Sequence, residues 1–226
     1  MTRLVLFDID GTLVHTGGAG IKAFAKVFAT EFNAHNGVEQ IKFAGRTDVN
    51  LVREFFGQHK IPATPENFLR FFERYVHHLE HILADSHKVE CPGVRQMING
   101  LRALPQPPVI GLLTGNIRLG AEIKLRAFNL WREFETGAFA DDHEERDQIA
   151  HAAHRRGSRL LKRELRGEEI VVIGDTPLDI RCGRAIGAKV LAVATGGATL
   201  PELKQHAPDW AVNDLTEVTA QEVAGR

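Results

Sequence analysis

Leu4-Val5-Leu6-Phe7-Asp8-Ile9-Asp10-Gly11-Thr12-Leu13 sets a short apolar run against two aspartates one residue apart and then turns at a glycine. About five consecutive apolar residues is the length of a strand buried on both faces, as in a parallel sheet. Side chains two apart on a strand share a face, so Asp8 and Asp10 are expected to project together from the carboxyl end. Two carboxylates held close repel one another unless a cation or a shared proton offsets the repulsion. The pair therefore reads as a metal site.

Similar apolar runs recur at Val109–Leu113, Ile170–Ile173 and Val190–Val193. Amphipathic segments separate them, at Val94–Leu104, Leu119–Phe128, Asp147 to about Leu165, Leu178–Ile186 and Pro201–His206. Strands alternating with helices form parallel βαβ units, so the expected fold is α/β, a doubly wound, Rossmann-like parallel sheet. In such sheets ligands bind outside the carboxyl ends of the strands. Three runs place polar groups there: Asp8 and Asp10, Thr114-Gly115-Asn116, and Gly174-Asp175-Thr176.

The segment from Gly17 to Asp85 is patterned differently, with three helical stretches at Gly20–Phe32, Asp48–Phe56 and Glu66–Leu83 and no comparable buried strand. It reads as an inserted α-helical cap domain, residues 17–85, within a core formed by 1–16 and 86–226. Glycine and proline mark the expected hinges at Thr16–Gly20 and Asp85–Gly93. Gly17, Gly18 and Gly20 do not form GxGxxG, which argues against a dinucleotide loop.

Composition narrows the class of ligand. The 226 residues carry 28 basic and 29 acidic side chains, a formal charge of −1, so nothing points to nucleic acid or an anionic membrane surface. The expected partner is a small molecule, with the chain a monomer or homodimer. Cys91 and Cys182 lack a CxxC partner, which fits a reducing compartment. No apolar stretch approaches the roughly 18 residues of a membrane span, and the expected location is cytoplasmic.

DxDGT at Asp8–Thr12, the strand-end TGN at Thr114–Asn116 and GDxxxD at Gly174–Asp179 occur in an order and spacing that resemble the haloacid dehalogenase-like hydrolase superfamily. The resemblance covers the core to about residue 220, with the helical insertion where that family places its smaller type of cap. It implies a Mg²⁺-dependent phosphatase acting on a small phosphorylated metabolite through an aspartyl-phosphate. Asp8 would be the nucleophile, since a carboxylate that attacks phosphorus splits a slow hydrolysis into two steps. Asp10 would be the general acid and then base. Mg²⁺ would be held by the side chains of Asp8 and Asp175 and the backbone carbonyl of Asp10. Asp179 stands where it supports the metal shell or caps the helix after Thr176-Pro177.

Thr114, Gly115 and Asn116 end a strand before a helix, where hydroxyl, amide and free N–H groups receive phosphate oxygens; helix capping by Asn116 is compatible with that. The family also sets a basic residue, usually lysine, against the phosphate, but no KPxP-like segment precedes Ile170. Arg146 and Lys124 are the candidates. A helix starting near Asn116 puts Lys124 eight residues along it, a rise of roughly 12 Å, beyond the expected reach of its stem, so Arg146 is preferred. Arg46, in Gly45-Arg46-Thr47-Asp48, is either a cap residue that binds a substrate anion or an ordinary loop arginine.

Other features read as structural. His77 and His81 have an i, i+4 spacing but no accompanying general base, and Phe55, Phe56, Phe68, Phe71 and Phe72 follow the spacing of a helical core. Asp10 disfavours dehalogenation, because halide leaves without a proton and the family's dehalogenases lack the second aspartate. A sugar phosphomutase keeps the same aspartates and stays open, as does a catalytically silent binding protein on this fold.

Overall fold

The computed structural model describes residues 1–225. Its strands are β1 (Leu4–Phe7), β2 (Val14–His15), β3 (Val89–Glu90), β4 (Val109–Leu113), β5 (Thr136–Ala138), β6 (Ile170–Gly174), β7 (Lys189–Val193) and β8 (Trp210–Val212). The helices are α1 (Ala19–Phe32), α2 (Asp48–Gln58), α3 (Pro65–Ala84), α4 (Val94–Arg102), α5 (Arg118–Arg126), α6 (Arg146–Leu160), α7 (Pro177–Ala185), α8 (Leu200–Gln205) and α9 (Ala220–Ala224).

Six strands form one parallel sheet in the order β5-β4-β1-β6-β7-β8, with β2 and β3 paired apart from it. The first strand of the chain is therefore central, and the connections wind outward from it on both sides. Leu4 and Leu6 face a core with Ile149, Ala153 and Ile180 of α6 and α7. Val5 and Phe7 face the opposite core with Met97, Ile98 and Leu101 of α4. Burial on both faces explains why this strand is a continuous apolar run rather than an alternating one.

Strand β1 is flanked by β4 and β6, with Phe7 level with Leu112 and Ile173. The chain reverses its winding direction here, and adjacent strands lie about 4.8 Å apart, so the polar ends of β1, β4 and β6 meet at the topological switch point. Strands β5 and β8 escape sequence reading because each has only three residues, Thr136-Gly137-Ala138 and Trp210-Ala211-Val212. Too few side chains are present to show a period.

Helices α1, α2 and α3 carry a third apolar cluster, in which Phe24, Phe28, Phe55, Phe56, Phe71 and Tyr75 are almost fully buried. Phe28 stacks on Phe55 at 3.6 Å between centroids, and Phe24 meets Tyr75 edge to face at 4.8 Å. Ile117 and Ala140 join this cluster from beyond the helical segment, so α1–α3 sit over the carboxyl edge of the sheet. No helix among the described residues is long and apolar enough to cross a membrane.

Candidate active site

A cavity of about 400 Å³ lies between the strand ends and the helical layer. Its floor comes from the loops after β1, β4, β6 and β7, and its roof from α1, α2, α3 and the segment around Gly45. The structure brings Asp8, Asp10, Thr114, Gly115, Asn116, Lys124, Arg146, Asp175 and Arg46 to this one cavity, with Asp179 buried beneath it against Arg146.

Asp8 and Asp10 both line the cavity, but different cations hold them. Strand β1 ends at Phe7, and the chain turns through Gly11 at φ 84°, so the side chains are not set by a strand's i, i+2 repeat. The Arg146 guanidinium donates from Nη2 to Asp8 Oδ1 at 2.9 Å. Lys124 Nζ donates to Asp10 Oδ2 and to Asn116 Oδ1, each at 2.6 Å. The Asn116 amide also donates to Asp10 Oδ2 at 2.8 Å and to Thr114 Oγ1 at 2.9 Å.

The expectation that Lys124 falls short of the site is overturned. Helix α5 begins at Arg118 rather than Asn116, so the rise to Lys124 is about 9 Å, and the ammonium meets the Asn116 side chain. Lys124 is buried. Both candidate cations thus reach the cavity, Arg146 at Asp8 and Lys124 at Asp10.

Asp179 accepts the Thr176 N–H at 3.0 Å and the Thr176 hydroxyl at 2.6 Å on Oδ2, as the third residue of a capping box after Pro177. Its Oδ1 accepts from Arg146. Both oxygens are engaged, so Asp179 positions Arg146 as well as capping α7. Asp175 accepts from the Thr12 hydroxyl and the Gly197 N–H. Gly11 is required beside it, because a Cβ there would stand 2.6 Å from Asp175 Oδ2.

One oxygen each of Asp8, Asp175 and Asp179 lie within 4.8 Å of one another. Burial, with Asp179 and Asp10 nearby, raises Asp8 to about 6 against the pull of Arg146. Burial, together with Asp179 and Asp8, raises Asp175 to about 8. Burial opposes the charge on Arg146, but Asp179 and Asp8 outweigh it and hold the guanidinium well above its ordinary range. Three buried carboxylates against one guanidinium form a hard-oxygen, electron-rich set, the kind that suits a divalent cation such as Mg²⁺. Among the described residues this is the one His/Cys/Asp/Glu group with such geometry; His77 and His81 pack on each other on α3 without a third partner.

Sequence reading expected a helical cap but missed the role of Asp48 in it. Asp48, the first residue of α2, is buried, donates its N–H to the Gly115 carbonyl at 2.7 Å and accepts the Ile117 N–H on Oδ2 at 2.8 Å. Burial, offset in part by Lys124 and the Ile117 N–H, raises its carboxyl to about 7. A Cβ on Gly115 would collide with the Arg46 carbonyl. Arg46 lines the cavity, but its guanidinium pairs with Glu54 at 2.5 Å and bonds Asn50, drawn along α2. Tyr75, Phe24 and Phe43 complete the roof. The Gly196-Gly197 pair after β7 was a readable signal for a fourth site loop.

Comparison with known proteins agrees with this geometry. The family model for haloacid dehalogenase-like hydrolases matches residues 5–193. A putative pyrophosphatase, PpaX, of Clostridium perfringens is 23% identical over 223 residues, covering 96% of each chain. A bifunctional riboflavin kinase/FMN phosphatase of Arabidopsis thaliana is 23% identical over 194 residues, 85% of this chain and 48% of that protein, so this chain spans about half of it. The structure of a predicted phosphoglycolate phosphatase from Haemophilus somnus superposes with a TM-score of 0.71 at 18% identity, covering 96% of each chain.

Proposed function

The chain belongs to the haloacid dehalogenase-like hydrolase family, and from that premise we propose that it is a Mg²⁺-dependent phosphatase of a small phosphorylated metabolite, working through an aspartyl-phosphate. The observation that carries this reading is the separate custody of the two aspartates, Asp8 by Arg146 and Asp10 by Lys124 with Asn116.

The separation gives each carboxylate its own task. Asp8 has Oδ1 fixed by Arg146, which aims the other oxygen for attack on phosphorus. As the Asp8 O–P bond forms and the ester P–O bond breaks, the leaving oxygen takes a proton from Asp10. Asp10 then removes a proton from water, the water oxygen bonds phosphorus, and the Asp8 carboxylate is released with inorganic phosphate. Lys124 and Asn116 hold Oδ2 of Asp10 and leave Oδ1 for the proton. Among the described residues Arg146 Nε is a buried donor without a partner, which suits a phosphate oxygen, as do the groups of Thr114 and Gly115. Asp8, Asp175 and the Asp10 carbonyl would hold Mg²⁺, which when bound neutralises charge between nucleophile and phosphate. The helical layer over the cavity would act as the cap, excluding bulk water from the reaction.

Hydrolysis of p-nitrophenyl phosphate by the pure protein with Mg²⁺, and its loss with EDTA, is the expected result. No metal-dependent release would overturn the reading.

A further inference from the structure

Three Lys or Arg side chains line the cavity, and each already has a carboxylate partner: Arg146 with Asp8 and Asp179, Lys124 with Asp10, and Arg46 with Glu54. Two further carboxylates, Asp48 and Asp175, line it without a Lys or Arg partner within salt-bridge distance among the described residues. His15 also lines the cavity but is solvent-exposed. The rest of the roof is mostly apolar, from Val14, Ile21, Phe24, Phe43 and Leu51, with Tyr75 beside them.

A substrate bound with its phosphoryl group on the floor projects its leaving group toward this roof. A second phosphate or a carboxylate there would meet the buried Asp48 and no unpaired lysine or arginine. Transferring an unpaired anion from water into such a site costs several kcal/mol. Burying a neutral carbon skeleton against Phe24, Phe43 and Leu51 is favourable instead, by about 25 cal/mol per Å².

We infer that the substrate is a monophosphate ester whose leaving group is uncharged and largely apolar, and that a substrate bearing a second anionic group is a poor one. The inference rests on the phosphatase reading. It also assigns Arg46 the role of a residue held back from the ligand by Glu54 rather than an anion clamp.

The test compares kcat/KM with Mg²⁺ for n-butyl phosphate, 2-phosphoglycolate and pyrophosphate, the first two being alkyl esters of comparable intrinsic reactivity. Wild-type protein should favour n-butyl phosphate at least tenfold over either anionic compound. Glu54→Gln, which removes the charge that neutralises Arg46, should narrow that gap several-fold while keeping the n-butyl phosphate rate within twofold of wild type. Rates on an anionic compound equal to or above that on n-butyl phosphate, including no turnover of any of the three, overturn the inference. In that event p-nitrophenyl phosphate hydrolysis separates the cases: if it persists, only the substrate class falls, and if it is absent, the phosphatase reading falls as well.

Discussion

The floor and the roof of one cavity are built by opposite rules. The floor packs Asp8, Asp175, Asp179 and Arg146 into a buried ionic cluster at the ends of parallel strands. The roof is an aromatic helical layer into which one carboxylate, Asp48, is set. Charge on the floor is costly to bury: Arg146 offsets Asp8 and Asp179, while Asp175 has only the hydrogen bonds from Thr12 and Gly197, which leaves room for a cation. Apolar surface on the roof is favourable to bury anywhere, so it constrains shape rather than chemistry. On the proposed reading, the floor sets the reaction and the roof sets what is admitted to it.

The largest effect that sharpens this contrast is expected at Asp8. Asp8→Asn keeps the volume and an acceptor for Arg146 but makes a far poorer nucleophile, so kcat should fall by about 10⁴-fold or more. Because the change also removes one of three mutually repelling carboxylates, the thermal midpoint should not drop. Substantial residual turnover in a well-folded variant would break the assignment of covalent chemistry to the floor.

Next come the two cations. Arg146→Ala leaves Asp8 and Asp179 buried without their partner, a loss of about 3–5 kcal/mol in stability together with about 10²–10³-fold in kcat. Lys124→Ala removes a charge-assisted bond to Asp10, for which about 10–100-fold in kcat is expected. Steady-state kinetics and urea unfolding on both variants check the order. A larger kinetic loss at Lys124 than at Arg146 would move the critical charge away from the nucleophile.

The same contrast explains what could be read from the sequence. Asp8, Thr114 and Asp175 were legible because each ends an apolar run, and a parallel sheet brings consecutive strand ends to one edge whatever the loops do. Helices α1–α3 were legible in outline, since a helical period declares itself over 11 or more residues. Their docking was not, because it depends on contacts between distant residues such as Asp48 with Gly115 and Ile117. Lys124 failed for a local reason: α5 starts two residues later than Asn116, after an extended Ile117, and this changed the reach of its ammonium. For Arg46 the sequence left a cap residue at the site and a loop arginine both open; it lines the cavity, yet its pairing with Glu54 lies eight residues away on α2, where the motif gave no hint of it.

The smallest effect should come from the one roof carboxylate. Asp48 has an ordinary value near 3.8 when unfolded and about 7 in the fold, raised chiefly by burial and slightly by Asp10 and Asp141, against Lys124 and the Ile117 N–H, which draw it down. The folded protein binds that proton more tightly than the unfolded chain. Its contribution to stability is therefore complete below pH 3.8 and is lost progressively as pH rises through about 7. Asp48→Asn mimics the protonated form and keeps an oxygen that can accept the Ile117 N–H. The variant's stability relative to wild type should grow by about 1–3 kcal/mol between pH 5 and pH 8 in urea unfolding with EDTA. Asp8 and Asp175 titrate in both proteins, so their slopes largely cancel in the difference. A difference that does not grow between pH 5 and pH 8 would mean that Asp48 is ionised at little cost, and that the roof tolerates charge as the floor does.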